Sequence, residues 1–201
     1  MYTTAVIDNS SLVNITQLHA IAPFFDKLKS ILRTLYIPLE VKNEYVIGAK
    51  KENDRNWILQ RLNTEQGFYR LCTSYDSVVL STVLTYRGID KGEAEVLAQM
   101  LKVEIPLIIS DDKPFIDAVK KFNERIVIYN TLHLICWLDI VCFINNWNSL
   151  IQQLHKIRPF KSKELRDAYL QVSQHISIAI DSRKLSKKCS LKTILLSRTE
   201  A

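Results

Sequence analysis

The chain has 201 residues, 47% of them hydrophobic and 24% charged, with only 4 glycines and 5 prolines. That suits one domain with a sizeable core, and it argues against a disordered chain or a turn-rich sandwich. The net charge of +6, with a pI near 9.1, is uneven. In the tail Arg183, Lys184, Lys187, Lys188, Lys192 and Arg198 face Glu200 alone, a pattern compatible with nucleic acid, an acidic partner or a solvated end.

Residues 2–7 are β-prone and apolar and predict a strand that stops at Asp8-Asn9-Ser10-Ser11. Those polar residues can cap a helix over residues 12–18. Asp8 also interrupts the apolar run too early for a signal segment. At the end of a first, central strand its carboxylate is either a plain cap or a chemical group. Residues 24–35 predict an amphipathic helix with Leu28, Ile31, Leu32 and Leu35 on one face, and residues 35–37 a brief strand. Pro38 opens another helix over residues 39–47, with Val41 and Tyr45 inward and Glu44 beside them. The charged stretch 50–61 around Trp57 predicts a helix that covers or borders the site. Residues 67–71 and 77–83 are further β-prone or apolar stretches.

Residues 88–122 form the central unit. Asp90 can cap a helix, and Glu93 stands at the capping-box spacing. Ala94, Leu97, Ala98 and Leu101 then fall on one apolar face. Residues 105–109 read as a buried parallel strand, ending at Ser110-Asp111-Asp112. Pro114 lies early in the next helix, whose face is Phe115, Ala118, Val119 and Phe122. Residues 125–129 predict one more buried strand, closed by Asn130-Thr131. Residues 132–143 predict a buried helix; His133 and Asp139 interrupt the apolar run, which is too short to span a bilayer, so no membrane role is expected. Helices over 150–157 and 163–180 follow, separated by Arg158-Pro159-Phe160. Strands alternating with helices predict an α/β fold with a central, mainly parallel sheet flanked by helices.

Asp8, Glu44, Glu95 and the Asp111-Asp112 pair each fall near a predicted strand end or in the helix that follows one, where open α/β sheets gather function. Clustered carboxylates repel one another unless a cation neutralises them. Hard divalent cations take oxygen ligands and can activate water and stabilise charge on a phosphate, so phosphodiester hydrolysis is the natural reaction class. Competing constellations are poor. His19, His133, His155 and His175 lack ligand spacing, and nucleophile-elbow, P-loop and dinucleotide motifs are absent. Cys72, Cys136, Cys142 and Cys189 show neither Cys-x-x-Cys spacing nor a secreted framework, which predicts buried reduced thiols in a cytoplasmic protein. Tyr36, Tyr45, Trp57, Tyr69 and Tyr75 are of a type that stacks on bases, although most aromatics belong to cores.

These residues resemble the PIN-domain family. Ala5-Val6-Ile7-Asp8-Asn9-Ser10-Ser11-Leu12-Val13 is similar to its opening strand and Asp-Thr/Asn-Ser. Ile37-Pro38-Leu39-Glu40-Val41-Lys42-Asn43-Glu44 is similar to Ile-Pro-x-x-Val-x-x-Glu. Gly92-Glu93-Ala94-Glu95 resembles the Gly-Glu-x-Glu-Ala helix, and Ile109-Ser110-Asp111-Asp112-Lys113 the acidic strand end after it. Ile128-Tyr129-Asn130-Thr131 stands where many members have Val-x-Gly-Thr. The ordered set covers about residues 3–160, with Asn130 in place of the usual Gly and Val96 in place of the usual Ala.

The resemblance implies a three-layer PIN-like fold over residues 1–160, with a C-terminal helix and basic tail over 161–201. It also implies a Mg²⁺- or Mn²⁺-dependent ribonuclease near the VapC-type toxins. By position Asp8, Glu44, Glu95 and Asp112 match the acidic residues of the site. Asp8, Glu95 and Asp112 would hold metal, with Asp111 a rival for the last place. Asn9 or Ser10 would orient Asp8 or contact phosphate, and Glu93 goes to helix capping. The implied partners are RNA, an antitoxin protein and a second copy of the chain, paired through apolar helix faces near residues 24–35 and 132–150. Two other readings stay open: a PIN-like RNA- or protein-binding module with little activity, and a DNA-directed nuclease with the same site.

Overall fold

The computed structural model describes residues 3–19, 24–49, 52–142 and 147–180. The basic tail and Cys189 lie outside the described residues. Residues 3–7 carry no charge, and they form β1 (Thr3–Ile7), in which Ala5, Val6 and Ile7 are wholly buried. β2 (Leu32–Pro38), β3 (Tyr69–Cys72), β4 (Leu107–Ile109) and β5 (Val127–Tyr129) join it. Among the described residues these five strands make one sheet in the order β3-β2-β1-β4-β5, and every pairing is parallel. Leu35, Ile37, Leu107, Ile108 and Ile109 are also fully buried. Continuous burial of this kind marks a parallel sheet covered on both faces.

The helices are α1 (Asn9–His19), α2 (Phe24–Leu28), α3 (Leu39–Gly48), α4 (Glu52–Thr64), α5 (Ser77–Leu84), α6 (Lys91–Lys102), α7 (Lys113–Phe122), α8 (Thr131–Cys142), α9 (Trp147–Ile157) and α10 (Ser162–Ile180). The fold is therefore α/β with a central, all-parallel sheet flanked by helices, as the PIN-like expectation has it. Its described residues divide into two compact units. One takes those of 2–17 and 32–131 and so contains the whole sheet; the other takes those of 18–31 and 132–201. In the second unit the Tyr169 hydroxyl donates to Asp139 Oδ2 at 2.7 Å, both side chains being buried.

Three expectations change. The amphipathic helix predicted over residues 24–35 ends at Leu28, and Leu32 and Leu35 belong to β2. Leu28, Ile31, Leu32 and Leu35 do have helical spacing, but β2 is buried on both faces, so no two-residue alternation reveals it. All four are buried within the chain, as are Leu132, Leu134, Ile135 and Leu138 on α8; these residues are therefore not exposed pairing faces. Leu101, expected on the inner face of α6, is 40% exposed, whereas every residue from Gly92 to Met100 is buried. Residues 77–83, rich in β-branched side chains, fold as α5. The helix around Trp57 is α4, which packs on α3 and the edge strand β3, with the Trp57 and Tyr69 rings edge to face at 6.4 Å.

The cause of the helix at α5 is its start. Asp76 Oδ1 accepts from the amides of Val78 and Val79 at 2.8 and 3.0 Å, satisfying donors that an uncapped helix leaves bare. Asp76→Ala should lower stability by about 1 kcal/mol, seen as an earlier urea midpoint with an unchanged slope. An unmoved midpoint would show that packing alone holds α5.

Candidate active site

The strand order reverses direction between β1 and β4, the place where open α/β sheets form a crevice at the carboxyl ends of their strands. Val6 pairs with Ile108 and Ile7 with Ile109, and the Asp8 amide donates to the Ile109 carbonyl at 2.9 Å. That register delivers Asp8 and Ser110 side by side. Asp8 is 5% exposed. Its Oδ1 accepts from the Asn9 amide at 2.7 Å, and its Oδ2 from the hydroxyls of Ser10 at 2.7 Å and Ser110 at 2.9 Å. Burial pushes its pKa up, against the pull of those hydrogen bonds. The backbone of Ser10, second in α1, adds to that pull, so the Asp8 side chain also serves the start of α1.

The Asp111-Asp112 doublet divides its work. Asp111 Oδ2 accepts from Ser11 Oγ at 2.7 Å and, at short range, from Thr131 Oγ1, while its carboxylate also receives the Thr131 amide at 3.2 and 3.3 Å. It ties Ser11 of α1 and the strand end of β4 to Thr131, two residues past the end of β5. Asp112 caps α7, Oδ1 accepting from Phe115 at 2.9 Å, while its field reaches toward Glu93.

Glu44 and Glu93 carry the electrostatic signature of the site. Glu44 is half-buried on α3, and its pKa is pushed up to about 7 by burial first and then by Asp90, Asp8, Glu40 and Glu95. Its carboxylate lies so close to Gly92 that a Cβ there would meet Glu44 Oε1 at 2.6 Å. Glu93 completes the predicted capping box: its amide donates to Asp90 Oδ1 at 2.9 Å and its Oε2 accepts from the Asp90 amide at 3.0 Å. Burial, followed by Asp90, Asp8 and Asp112, also pushes Glu93 up to about 7, though the Asp90 hydrogen bond opposes this. Asp8 thus lies within the field of both glutamates.

Glu95 is 5% exposed, and its charge also reaches Glu44. Its Oε2 accepts from the Glu40 amide at 2.8 Å and from the Tyr75 hydroxyl at 2.9 Å. Tyr45 and Tyr69 are buried and offer no stacking face, and the Tyr75 hydroxyl is committed to these contacts. Ser110, Gly92 and Thr131 lie inside the family-like motifs without an assigned role, and Tyr75 reads as a stacking aromatic. Gly92 carries a further signal, as a rare glycine beside the Gly-Glu-Ala-Glu carboxylates.

The donor set is all oxygen and repels itself, which fits a hard divalent cation. Among the described residues no three His, Cys, Asp or Glu side chains stand close enough to share one ion. Cys72 and Cys136 are buried free thiols. Among the described residues no helix is long and apolar enough to cross a membrane.

A family model, DUF3368, described as a PIN domain, matches residues 4–175. No curated protein and no solved structure matches the chain.

The raised pKa values fix the sign of a pH effect. A carboxyl raised from 4.5 to about 7 contributes stability that is complete below about 4.5 and lost as pH climbs through about 7. The denaturation midpoint of metal-free protein should fall across that window, and Glu44→Gln should flatten part of the fall. A midpoint that rises with pH, or a slope that ignores Glu44→Gln, would contradict the crowding of carboxylates around Asp8.

Proposed function

The chain belongs to the PIN-domain family, a nuclease-type fold, and from that premise we propose that it is a Mg²⁺- or Mn²⁺-dependent endoribonuclease. In this reading it is the toxin of a toxin–antitoxin pair, acting in the cytoplasm, with residues 1–160 as the nuclease part and 161–201 as a helix and basic tail. The observation that supports it is that Asp8 acts on both Glu44 and Glu93, and Asp112 on Glu93, at the switch point of the sheet.

Asp8 would hold the cation directly, and Asp112 and Glu93, whose fields meet beside it, would reach it through its bound waters. A bound cation supplies charge neutralisation for the phosphate and a lowered pKa for water. Ser10 and Ser110 keep Asp8 in one orientation, and Asn9 would donate its side-chain N–H to phosphate. Glu44, raised to about 7, can hold a proton near neutral pH and give it up again. Asp111 joins three elements. Glu95, which the resemblance places among the ligands, takes a supporting place in this reading, its Oε2 being engaged at the start of α3 and its Oε1 left for a cation.

A second reading has its own support. Asp112 and Glu93 both cap helices, and the absence of a close three-residue ligand group among the described residues suits a binding module with little activity. The test is cleavage of a mixed RNA pool, beside a DNA pool, with Mn²⁺ or with chelator. Mn²⁺-dependent RNA cleavage that falls on the order of 10²-fold or more in Asp8→Asn and Glu93→Gln supports the enzyme. RNA binding without cleavage, weakened by removing residues 183–201, supports the module. Cleavage confined to DNA changes the substrate. Antitoxin and self-pairing are read by co-purification with the neighbouring gene product and by solution mass.

Gly92→Ala separates the site from the fold. Alanine gains up to about 1 kcal/mol of helix preference, yet its Cβ displaces the Glu44 carboxylate. Stability should hold or rise while cleavage falls. Full activity would mean that Glu44 need not lie where it does.

A further inference from the structure

α3 begins with a deficit that its own sequence does not fill. Its N-cap is Pro38, and no side-chain hydrogen bond is made there. The first amides of a helix have no partner within it, and proline offers no side-chain acceptor. Both leading amides are nevertheless satisfied from a distance. The Leu39 amide donates to Tyr75 Oη at 3.0 Å, and the Glu40 amide donates to Glu95 Oε2 at 2.8 Å. The two acceptors are joined, since the Tyr75 hydroxyl lies 2.9 Å from Glu95 Oε2 and 2.9 Å from the Cys72 carbonyl. Its single proton favours the carboxylate, where the bond is charge-assisted. A carboxylate at this end also meets the positive end of the α3 dipole.

We infer that Glu95 and Tyr75 form a tertiary cap on α3, and that they are positioning residues for Glu44, one turn further along that helix. Three neighbouring residues of α6 address α3 together. Lys91 pairs with Glu40 at 2.8 Å, Gly92 leaves room for the Glu44 carboxylate, and Glu95 holds the leading amide. Gly92 and Glu95 are three apart and so share one helical face. Glu44 must be held against Asp90, Asp8, Glu40 and Glu95 itself, all of its own sign. A frayed first turn would let α3 yield to that repulsion, and a displacement near 1 Å can cost about 10²-fold in rate.

The catalytic part of this inference rests on the nuclease reading above; the cap does not. Two measurements keep them apart. In the first, hydrogen exchange of the Leu39 and Glu40 amides is followed in wild type, Glu95→Ala, Glu95→Gln and Tyr75→Phe. The cap predicts at least tenfold faster exchange of Glu40 in Glu95→Ala and of Leu39 in Tyr75→Phe. Glu95→Gln, whose carbonyl still accepts, should restore protection. Unchanged exchange in both Glu95→Ala and Tyr75→Phe would overturn the cap, whether or not the protein cleaves RNA. In the second, kcat and KM are measured with Mn²⁺ on RNA that wild type cleaves and Asp8→Asn does not. Positioning predicts that Glu95→Ala lowers kcat on the order of 10²-fold with KM little changed, and that Glu95→Gln recovers most of it. Glu95→Gln as damaged as Glu95→Ala, with Mn²⁺ affinity lost in both, would overturn positioning and return Glu95 to the ligand set. Wild type that cleaves nothing removes the nuclease reading and leaves exchange to judge the cap.

Discussion

Mutual repulsion among carboxylates around Asp8 is the constraint on which the rest of the site depends. Asp8 is buried at the end of β1 with three donors on its oxygens, and burial first, then Asp90 and Asp8, pushes Glu44 and Glu93 up to about 7. Such an arrangement persists only where the surrounding structure holds it. Here the holding is done by parallel pairing of β1 with β4, by the Asp111 link to Ser11 and Thr131, and by helix starts fixed with hydrogen bonds. A hard cation would turn the same repulsion into attraction.

α6 is the element that serves both sides of this balance. Its first turn carries the Asp90–Glu93 box, the bare Gly92 surface on which Glu44 rests, and Glu95 against the start of α3. The face that would be solvated in an ordinary surface helix is buried from Gly92 to Met100. Buried polar groups are tolerated only when paired, and Glu93 and Glu95 are each paired with a backbone amide. The helix is thereby committed to one orientation.

What could be read beforehand follows from how local each cause is. β1, the α6 capping box and the proline-led start of α7 depend on residues within one or two turns of each other, and their positions were legible. The helix expected over 24–35 was not corrected by any local cue, because Leu28, Ile31, Leu32 and Leu35 keep helical spacing while Leu32 and Leu35 lie in a strand buried on both faces. The valines of α5 suggest a strand until Asp76 is seen to cap them. Within the site, Asp8 and Glu44 stood out by type and place. Tyr75 looked like an aromatic with a free face, whereas its hydroxyl serves Glu95 and Leu39 across long separations in sequence. The parts played by Ser110 and Thr131 depend on strand register that no single segment encodes.

The central claim is that a divalent cation belongs among these carboxylates. Anomalous diffraction from crystals grown with Mn²⁺ tests it most directly. The account predicts one strong peak within about 2.5 Å of an Asp8 carboxylate oxygen, on the side shared with Glu93 and Asp112, and its loss in Asp8→Asn. A Mn²⁺ peak far from Asp8, or no peak in crystals that hold an ordered wild-type chain at neutral pH, would contradict it.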